Sequence, residues 1–567
     1  MHHPKWVVHF FVYSQKIPTF VKTKPMSIGE YIHWLWQAIK GLRGKIVLRG
    51  VLGVCHIFIS LFFIWQSKQM VDIATGNSEG SFWLGAALLV VSILSQILLS
   101  TIGARIEVNA EVSLRNKLRY KLFHHIMTSR WAGREGMHTG ELMNRLDEDV
   151  FMVSDTMCRI FPSVLVTGVQ FVAAMIFLLT LDWRLAIAVV VIMPFALLFS
   201  RIYMKRIRRY TKDIREMDSR LTSYMQEYMQ NRTLVSTMEY TLTASDDLAS
   251  MQSNLRNLVL RRIDFSLFSR KVVQMGFAFG YLVAFMWGVV GLKSGVITFG
   301  MMTAFLQLVA QVQRPVVDMS RQLPSFIHMS TSLDRLSDIV NMPREQLGEG
   351  IHLEGNVGIR FSNVHFSYDT NDEVIRGLDK DIKPSTMTAI VGPTGVGKST
   401  MMRLILALIE PTKGSVEFYN DERSVAASAL TRCNIAYVPQ GNSLLSGTIR
   451  SNLLLANPSA TEEQMRQALY VAVADFVFEL PDGLDTQCGE MGDGFSEGQA
   501  QRIAIARGLL RSGNLLLLDE PSAALDNATE SLLMQRMAEC VKDKTVVIVT
   551  HSLALSAMCE DVISLEA

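Results

Sequence analysis

Residues Gly392 to Ser399 read Gly-Pro-Thr-Gly-Val-Gly-Lys-Ser: a glycine, four residues, then glycine-lysine-serine. That order suits a loop that holds phosphate. Glycines 392, 395 and 397 let the backbone turn sharply enough for successive amide hydrogens to point at one anion. Lys398 supplies a mobile cation for the outer phosphates, and the Ser399 hydroxyl is placed to ligate magnesium. Pro393, Thr394 and Val396 complete the loop and Thr400 follows it, so positions 392–400 are all candidate nucleotide contacts. A loop of this kind needs a strand before it and a helix after it. Met387-Thr-Ala-Ile-Val391 predicts a buried strand, and Thr400 to Ile409 has the apolar spacing of a helix whose positive end faces the same anion. A glycine-rich turn beside a chance Lys-Ser would account for the octet alone, but not for its flanks.

The rest of the chain must position this loop. Its 567 residues are enough for two or more domains. An apolar share of 49%, a charged share of 19% and a mean hydropathy of +0.23 fit a partly membrane-embedded protein. A net charge of +2 is uninformative, and no polyanion-binding surface follows from it; no nucleic-acid partner is expected. The six cysteines (55, 158, 433, 488, 540, 559) have no paired spacing for zinc or a redox dithiol, so reduced structural thiols are expected.

Residues 1–25 carry aromatic and apolar side chains but lack a signal-peptide pattern. Met26-Ser-Ile-Gly-Glu reads as a natural start, and the preceding residues are expected to be a disordered extension or a misassigned beginning. Tyr31 to Ile39, with Trp34 and Trp36, predicts an amphipathic helix in the headgroup layer. Six apolar stretches of bilayer-spanning length follow at about 46–65, 82–103, 160–181, 185–203, 272–292 and 299–316. The long connections after the second and fourth are rich in Arg and Lys, among them Arg201, Lys205, Arg206, Arg208 and Arg209, which makes them cytoplasmic. They keep helical spacing, so the membrane helices are expected to continue into the cytosol. His56, Gln96, Gln170, Gln274 and Gln307 fall inside the stretches; each would bond between helices or line a substrate path.

Around Asn341 to Leu353 the texture turns polar, with Pro343, Gly348 and Gly350. We place a membrane domain at 26–345 and a nucleotide-binding domain at 346–567. Beyond the boundary, apolar runs such as Ile435-Ala-Tyr-Val, Leu515-Leu-Leu-Leu and Val546-Val-Ile-Val alternate with helical segments. That pattern predicts an α/β domain with a mainly parallel sheet. The fold class expected is an α-helical six-span membrane domain fused to an α/β phosphate-loop domain.

With these motifs in this order, the chain resembles a half-transporter of the ATP-binding cassette exporter superfamily, of the type IV fold, similar to bacterial multidrug and lipid exporters. The resemblance runs from about Met26 to the end. It implies that Tyr368, in Phe-Ser-Tyr-Asp, stacks on adenine. Gln440, in Tyr-Val-Pro-Gln, would approach magnesium and the attacking water. Leu515-Leu-Leu-Leu-Asp-Glu reads as a buried strand carrying two acids out at its tip: Asp519 to hold magnesium, Glu520 to polarise water. Paired acids before Pro521 would otherwise be a helix cap. His551 matches the histidine that contacts the γ-phosphate. Asp526, in Ala-Ala-Leu-Asp, matches a loop touching the opposite subunit and could equally cap the next helix.

The family's signature, Leu-Ser-Gly-Gly-Gln, is altered here to Phe495-Ser-Glu-Gly-Gln499. Ser496 and Gly498, implied contacts to the partner's γ-phosphate, are retained, and Ser496 with Gln499 has capping-box spacing. Glu497 is the departure. It faces solvent in a working homodimer, or it weakens one of two composite sites in a heterodimer. Glu490 resembles a loop relaying closure, and His138 to Arg145 and Glu227 to Glu239 resemble coupling regions; solvated helix surface would also explain them. The resemblance implies ATP and Mg2+ as cofactors, a second half-transporter and membrane lipid as partners, a multi-pass plasma or inner membrane location with a cytoplasmic nucleotide-binding domain, and ATP-driven export of an amphipathic small molecule, lipid or peptide. An importer of this architecture, and a regulator that binds ATP without pumping, are the alternatives.

Overall fold

The computed structural model describes residue 29 and residues 35–130, 139–346, 348–368, 373–489 and 494–565, without the side chains of 188–205, 208, 269, 273, 320 and 323. The N-terminal extension, Met26, Trp34, His138 and Glu490 lie outside the described residues. The chain divides into two compact units.

One unit, residues 21–121 and 142–338, is helical. Its helices are α1 (Arg43–Ala74), α2 (Phe82–Met127), α3 (Phe161–Leu181), α4 (Trp183–Gln230), α5 (Thr241–Lys293) and α6 (Phe299–Val340), the last residues of α2 and α6 passing into the other unit. Each of the six apolar stretches lies on one of them. Among the described residues, four helices, spanning 43–74, 82–127, 139–181 and 241–293, are long and apolar enough to cross a membrane. Helices α2 and α5, at 46 and 53 residues, are about 70 and 80 Å long, against a bilayer core of about 30 Å. They therefore run well beyond the membrane. Ahead of α3, two π-helical turns, Arg145–Asp149 and Thr156–Ile160, interrupt the helix that begins at Thr139.

Gln170 donates to Gln311 Oε1 at 2.5 Å, and Gln311 reaches Ser60 Oγ at 3.3 Å. Two amides and a hydroxyl thus tie α1, α3 and α6 together, so Gln170 bonds between helices rather than standing free. A second cluster is charged. Buried Asp149 accepts from Ser332 at 2.7 Å and from Arg335, while Arg145 binds the Arg335 carbonyl at 2.8 Å and Asp338 at 3.3 Å.

The other unit, residues 122–141 and 339–565 of the described chain, is built on two sheets. An antiparallel sheet is ordered β2 (Glu373–Ile382), β1 (Gly358–Ser367), β4 (Lys413–Tyr419), β5 (Ser424–Ala426). A parallel sheet runs β11 (Asp561–Ser564), β3 (Met387–Val391), β10 (Thr545–Val549), β9 (Leu515–Asp519), β6 (Ile435–Val438). A short pair, β7 (Gly447–Thr448) and β8 (Gln487–Cys488), stands apart from both.

The leucine run of β9 has a simple cause. Successive side chains of a strand point to opposite faces. Leu515 and Leu517 enter a core shared with Phe361, Met401 and Ile405, whereas Leu516 and Leu518 enter one shared with Leu469, Ile503 and Met534. Both faces are covered, so every position is apolar. Helix α7 (Lys398–Ile405) lies on the first face and α8 (Glu497–Leu509) on the second. This arrangement carries the end of β9 and the loop after β3 to the same edge of the sheet, because the two strands flank β10 in parallel.

Candidate functional site

The loop after β3 takes the form its glycines predict. Gly392, Gly395 and Gly397 have φ of +156°, +89° and +110°. A Cβ on Gly392 would stand 2.7 Å from the Leu565 carbonyl oxygen, so no larger residue fits there. Gly397 is the residue before α7, and Lys398, buried, donates back to the Gly392 and Pro393 carbonyls at 2.7 and 3.1 Å. The ammonium thus sits at the mouth of its own loop, where phosphate oxygens would exchange for those carbonyls. Thr394, Gly395 and Val396 form the rim, and Ser399 and Thr400 start the helix.

Tyr368 stands at the end of β1, packed edge-on against Phe366 at 4.8 Å. Its hydroxyl meets Thr400 Oγ1 at 3.1 Å and receives Arg403 Nη1 at 2.8 Å. These two bonds fix the ring beside the loop and leave it 42% exposed, a face on which a base could stack.

The second half of the site gathers at the tip of β9. Glu520 has a φ of +47°, a left-handed backbone that costs a non-glycine residue of order 1 kcal/mol. Three contacts hold it there. Its amide donates to the Val549 carbonyl at 2.9 Å, its carbonyl accepts from the buried Gln501 side chain at 2.7 Å, and its carboxylate accepts from Gln440 Nε2 at 2.5 Å. His551 Nε2 lies 3.3 Å from the other carboxylate oxygen. Gln440, Glu520 and His551, separated by up to 111 positions in sequence, are therefore one constellation.

Asp519, one residue earlier, is more enclosed. Burial, with the neighbouring Glu520 charge, pushes its carboxyl above the usual carboxylate range; Arg403 and Lys398 pull the other way. Tyr437 on β6 hydrogen-bonds to it, and burial together with the Asp519 charge raises that phenol to about 12. A carboxylate short of solvent, with a second carboxylate on the next residue, is a hard oxygen donor of the kind a magnesium ion takes. Tyr437, Gln501 and Arg403 were not evident from sequence. The available signal was position: Tyr437 lies on β6, the strand that leads to the predicted Gln440, and Gln501 is a polar residue on the apolar face of α8.

The altered signature opens α8 as its spacing predicts. Ser496 Oγ accepts from Gln499 N at 3.3 Å and Gln499 Oε1 from Ser496 N at 3.0 Å, a reciprocal capping box. Gly498 is buried against the loop before Asp526; a Cβ there would stand 2.5 Å from the Ala524 carbonyl oxygen. Glu497 is exposed, its carboxylate about 4.0 Å from where a Cβ on Gly441 would lie. Asp526 caps α9 (Asn527–Cys540), accepting from Ala528 N and Thr529 N at 3.1 and 2.9 Å and from the Thr529 hydroxyl at 2.7 Å. Those Thr529 donors hold its carboxyl below the usual range.

Residues 46–316 match the family described as the ABC transporter transmembrane region, and residues 375–523 match the ABC transporter domain. The chain belongs to the ATP-binding cassette transporters. It is 25% identical to a "Multidrug resistance ABC transporter ATP-binding and permease protein" of Lactococcus lactis, over 95% of this chain and 89% of that one. It is 23% identical to an "ATP-dependent lipid A-core flippase" of Yersinia pestis, over 96% and 94%. "ABC transporter B family member 1" of Dictyostelium discoideum is 28% identical over 77% of this chain, which spans about half (49%) of that protein. In fold it is similar to a bacterial Atm1-family ABC exporter with ATP bound, with a TM-score of 0.76, 21% identity, and coverage of 93% and 94%. An ABC ATPase domain fused to a helical transmembrane domain makes this a membrane transporter subunit that binds ATP, with its nucleotide-binding domain in the cytoplasm.

Proposed function

We propose that the chain is one half of a dimeric exporter that moves an amphipathic small molecule, lipid or peptide out across the membrane at the expense of ATP. Each ATP lies between the phosphate loop of one chain, with Tyr368 against the base, and Ser496, Gly498 and Gln499 of the other. Lys398 and the amides of 392–400 hold the phosphates. Ser399, Gln440 and Asp519 would hold Mg2+, which when bound neutralises phosphate charge. Glu520 orients the attacking water and takes up its proton, while Gln440 and His551 fix the carboxylate. The observation that carries this reading is the meeting of Gln440, His551 and Gln501 on a strained Glu520: two side chains from distant stretches converge on its carboxylate at the sheet edge, and a third braces its backbone carbonyl.

ATP binding favours the closed pair of domains and hydrolysis releases it, so the membrane helices alternate between two states. Transport then follows from the difference in nucleotide affinity between those states. Exposed Met229, Leu234 and Met238, around the short helix Arg232–Thr237, supply an apolar tip suited to coupling. We favour a homodimer, because Glu520 and the capping box are both intact and Glu497 is exposed. The test is ATP hydrolysis by the purified full-length chain in lipid nanodiscs, with and without vanadate. Vanadate-sensitive turnover that a panel of amphipaths stimulates is expected. ATP retention without turnover would instead indicate a non-pumping regulator.

A further inference from the structure

A cavity of about 900 Å³ opens where α3 ends, α4 begins and α5 turns into α6. Its size lies within the roughly 300–1,000 Å³ of small-molecule sites. Its side of the membrane follows from connectivity: α6 leads on to the cytoplasmic domain, so the turn before Phe299 lies at the opposite face. Trp287 on α5 donates to Asp182 at 2.8 Å, which brings the α3–α4 turn to that same face. The cavity is therefore in the outer half of the membrane.

Its wall is apolar and aromatic, with Trp183, Phe279, Met286 and Val290 each at least half exposed. Two charges stand at its edge, and they are not equivalent. Asp182 is occupied: it accepts from the amides of Arg184 and Leu185 at 2.9 and 3.3 Å as well as from Trp287. Arg184 is exposed, with its guanidinium 5.6 Å from the Trp183 ring and no carboxylate bound to it among the described residues. A guanidinium held in no ion pair, at the rim of an apolar pocket and flanked by tryptophans at headgroup depth, complements an anion on a hydrocarbon tail. We propose that this pocket binds an anionic phospholipid of the outer leaflet, with an acyl chain against Trp183, Phe279 and Met286 and the phosphate on Arg184.

Lipid binding is read here without ATP or turnover, so its failure is distinguishable from failure of the export reading. Full-length protein in a mild detergent is titrated with dioleoylphosphatidylglycerol or dioleoylphosphatidylcholine, and bound lipid per chain is counted by native mass spectrometry. One phosphatidylglycerol per chain is expected to bind roughly 10-fold more tightly than phosphatidylcholine, the value of one charge-assisted contact. Arg184→Gln removes that preference, Arg184→Lys restores part of it, and Val290→Trp, which fills the pocket but keeps Arg184, lowers retention of both lipids. Equal preference in wild type and Arg184→Gln overturns the proposal. So does competition by glycerol phosphate as strong as by the lipid, which would make the site one for free phosphate. Efficient disulfide cross-linking of Met286→Cys to a second copy would make the cavity a seam between chains and would overturn it too.

Discussion

Gly498→Ala puts the close packing under the signature to a direct test. The added methyl would meet the Ala524 carbonyl oxygen at 2.5 Å, about 1 Å short of the ~3.5 Å at which such atoms rest, and Leu525 at 3.3 Å. The first obstacle is backbone, so α8 or the 522–526 loop must move. Overpacking of this kind costs about 1–3 kcal/mol, a fall of roughly 2–12 °C in the melting of a domain this size. The functional loss is larger. The same shift displaces Ser496 and Gln499 relative to Asp526 and the β9 tip, and a 1 Å misplacement can lower a rate by about 10²-fold. ATP hydrolysis by the full-length protein, beside calorimetric melting of the same sample, measures both. Gly276→Ala on α5 is the control: its backbone is helical, like that of Gly498, but the added methyl meets nothing within 4 Å. A Gly498→Ala protein with unaltered melting and turnover would refute the packing argument.

Other perturbations follow from the same geometry. Glu497→Gly should change turnover by less than about 5-fold, since an exposed charge contributes at most ~1 kcal/mol; a large gain would put that carboxylate in the ATP site. Asp519 has a raised carboxyl pKa, so the folded state binds its proton more tightly than the unfolded chain, and nucleotide-free stability falls as pH rises from the ordinary carboxylate value through the folded one. Asp519→Asn should therefore melt higher than wild type at neutral pH without nucleotide, lose that part of the pH slope, and lose magnesium-dependent turnover. Arg432 forks onto Glu345 at 2.7 and 2.8 Å and also binds the Leu406 and Ala407 carbonyls. Glu345→Gln should cost about 1–2 kcal/mol and lower the melting of the C-terminal unit by roughly 2–8 °C, leaving the ATP affinity of the phosphate loop in place.

Motifs made of contiguous residues could be read from the chain itself. The phosphate loop, the leucine strand with its two acids and the capping box of Ser496 are each local, and their chemistry follows from residue type and spacing. The six apolar stretches were visible for the same reason, as was the continuation of the helices past them. What sequence did not show depends on contacts between distant residues. Gln501 bracing the Glu520 carbonyl and Tyr437 bonding to Asp519 need the parallel sheet to be assembled first. The π-helical turns at 145–149 and 156–160 carry no residue-type signature, because an extra residue in a helix changes hydrogen bonding without changing polarity. Arg145 ended a stretch that resembled a coupling region, with solvated helix surface as the alternative; its side chain is buried and bonded to α6. Asp526 left two readings open in sequence; its three bonds show the helix cap, which needs only its own chain, while the loop's contact with an opposite subunit needs a second one.

The claim on which the mechanism rests is that two chains share each nucleotide. Cysteines placed at Thr394 and Ser496, in a background without the six native ones and with Glu520→Gln to arrest hydrolysis, test it directly. The account predicts a disulfide between two chains that forms in the presence of Mg-ATP and disappears when Lys398→Ala is added. Cross-linking that is indifferent to ATP, or that joins the two positions within one chain, would contradict it.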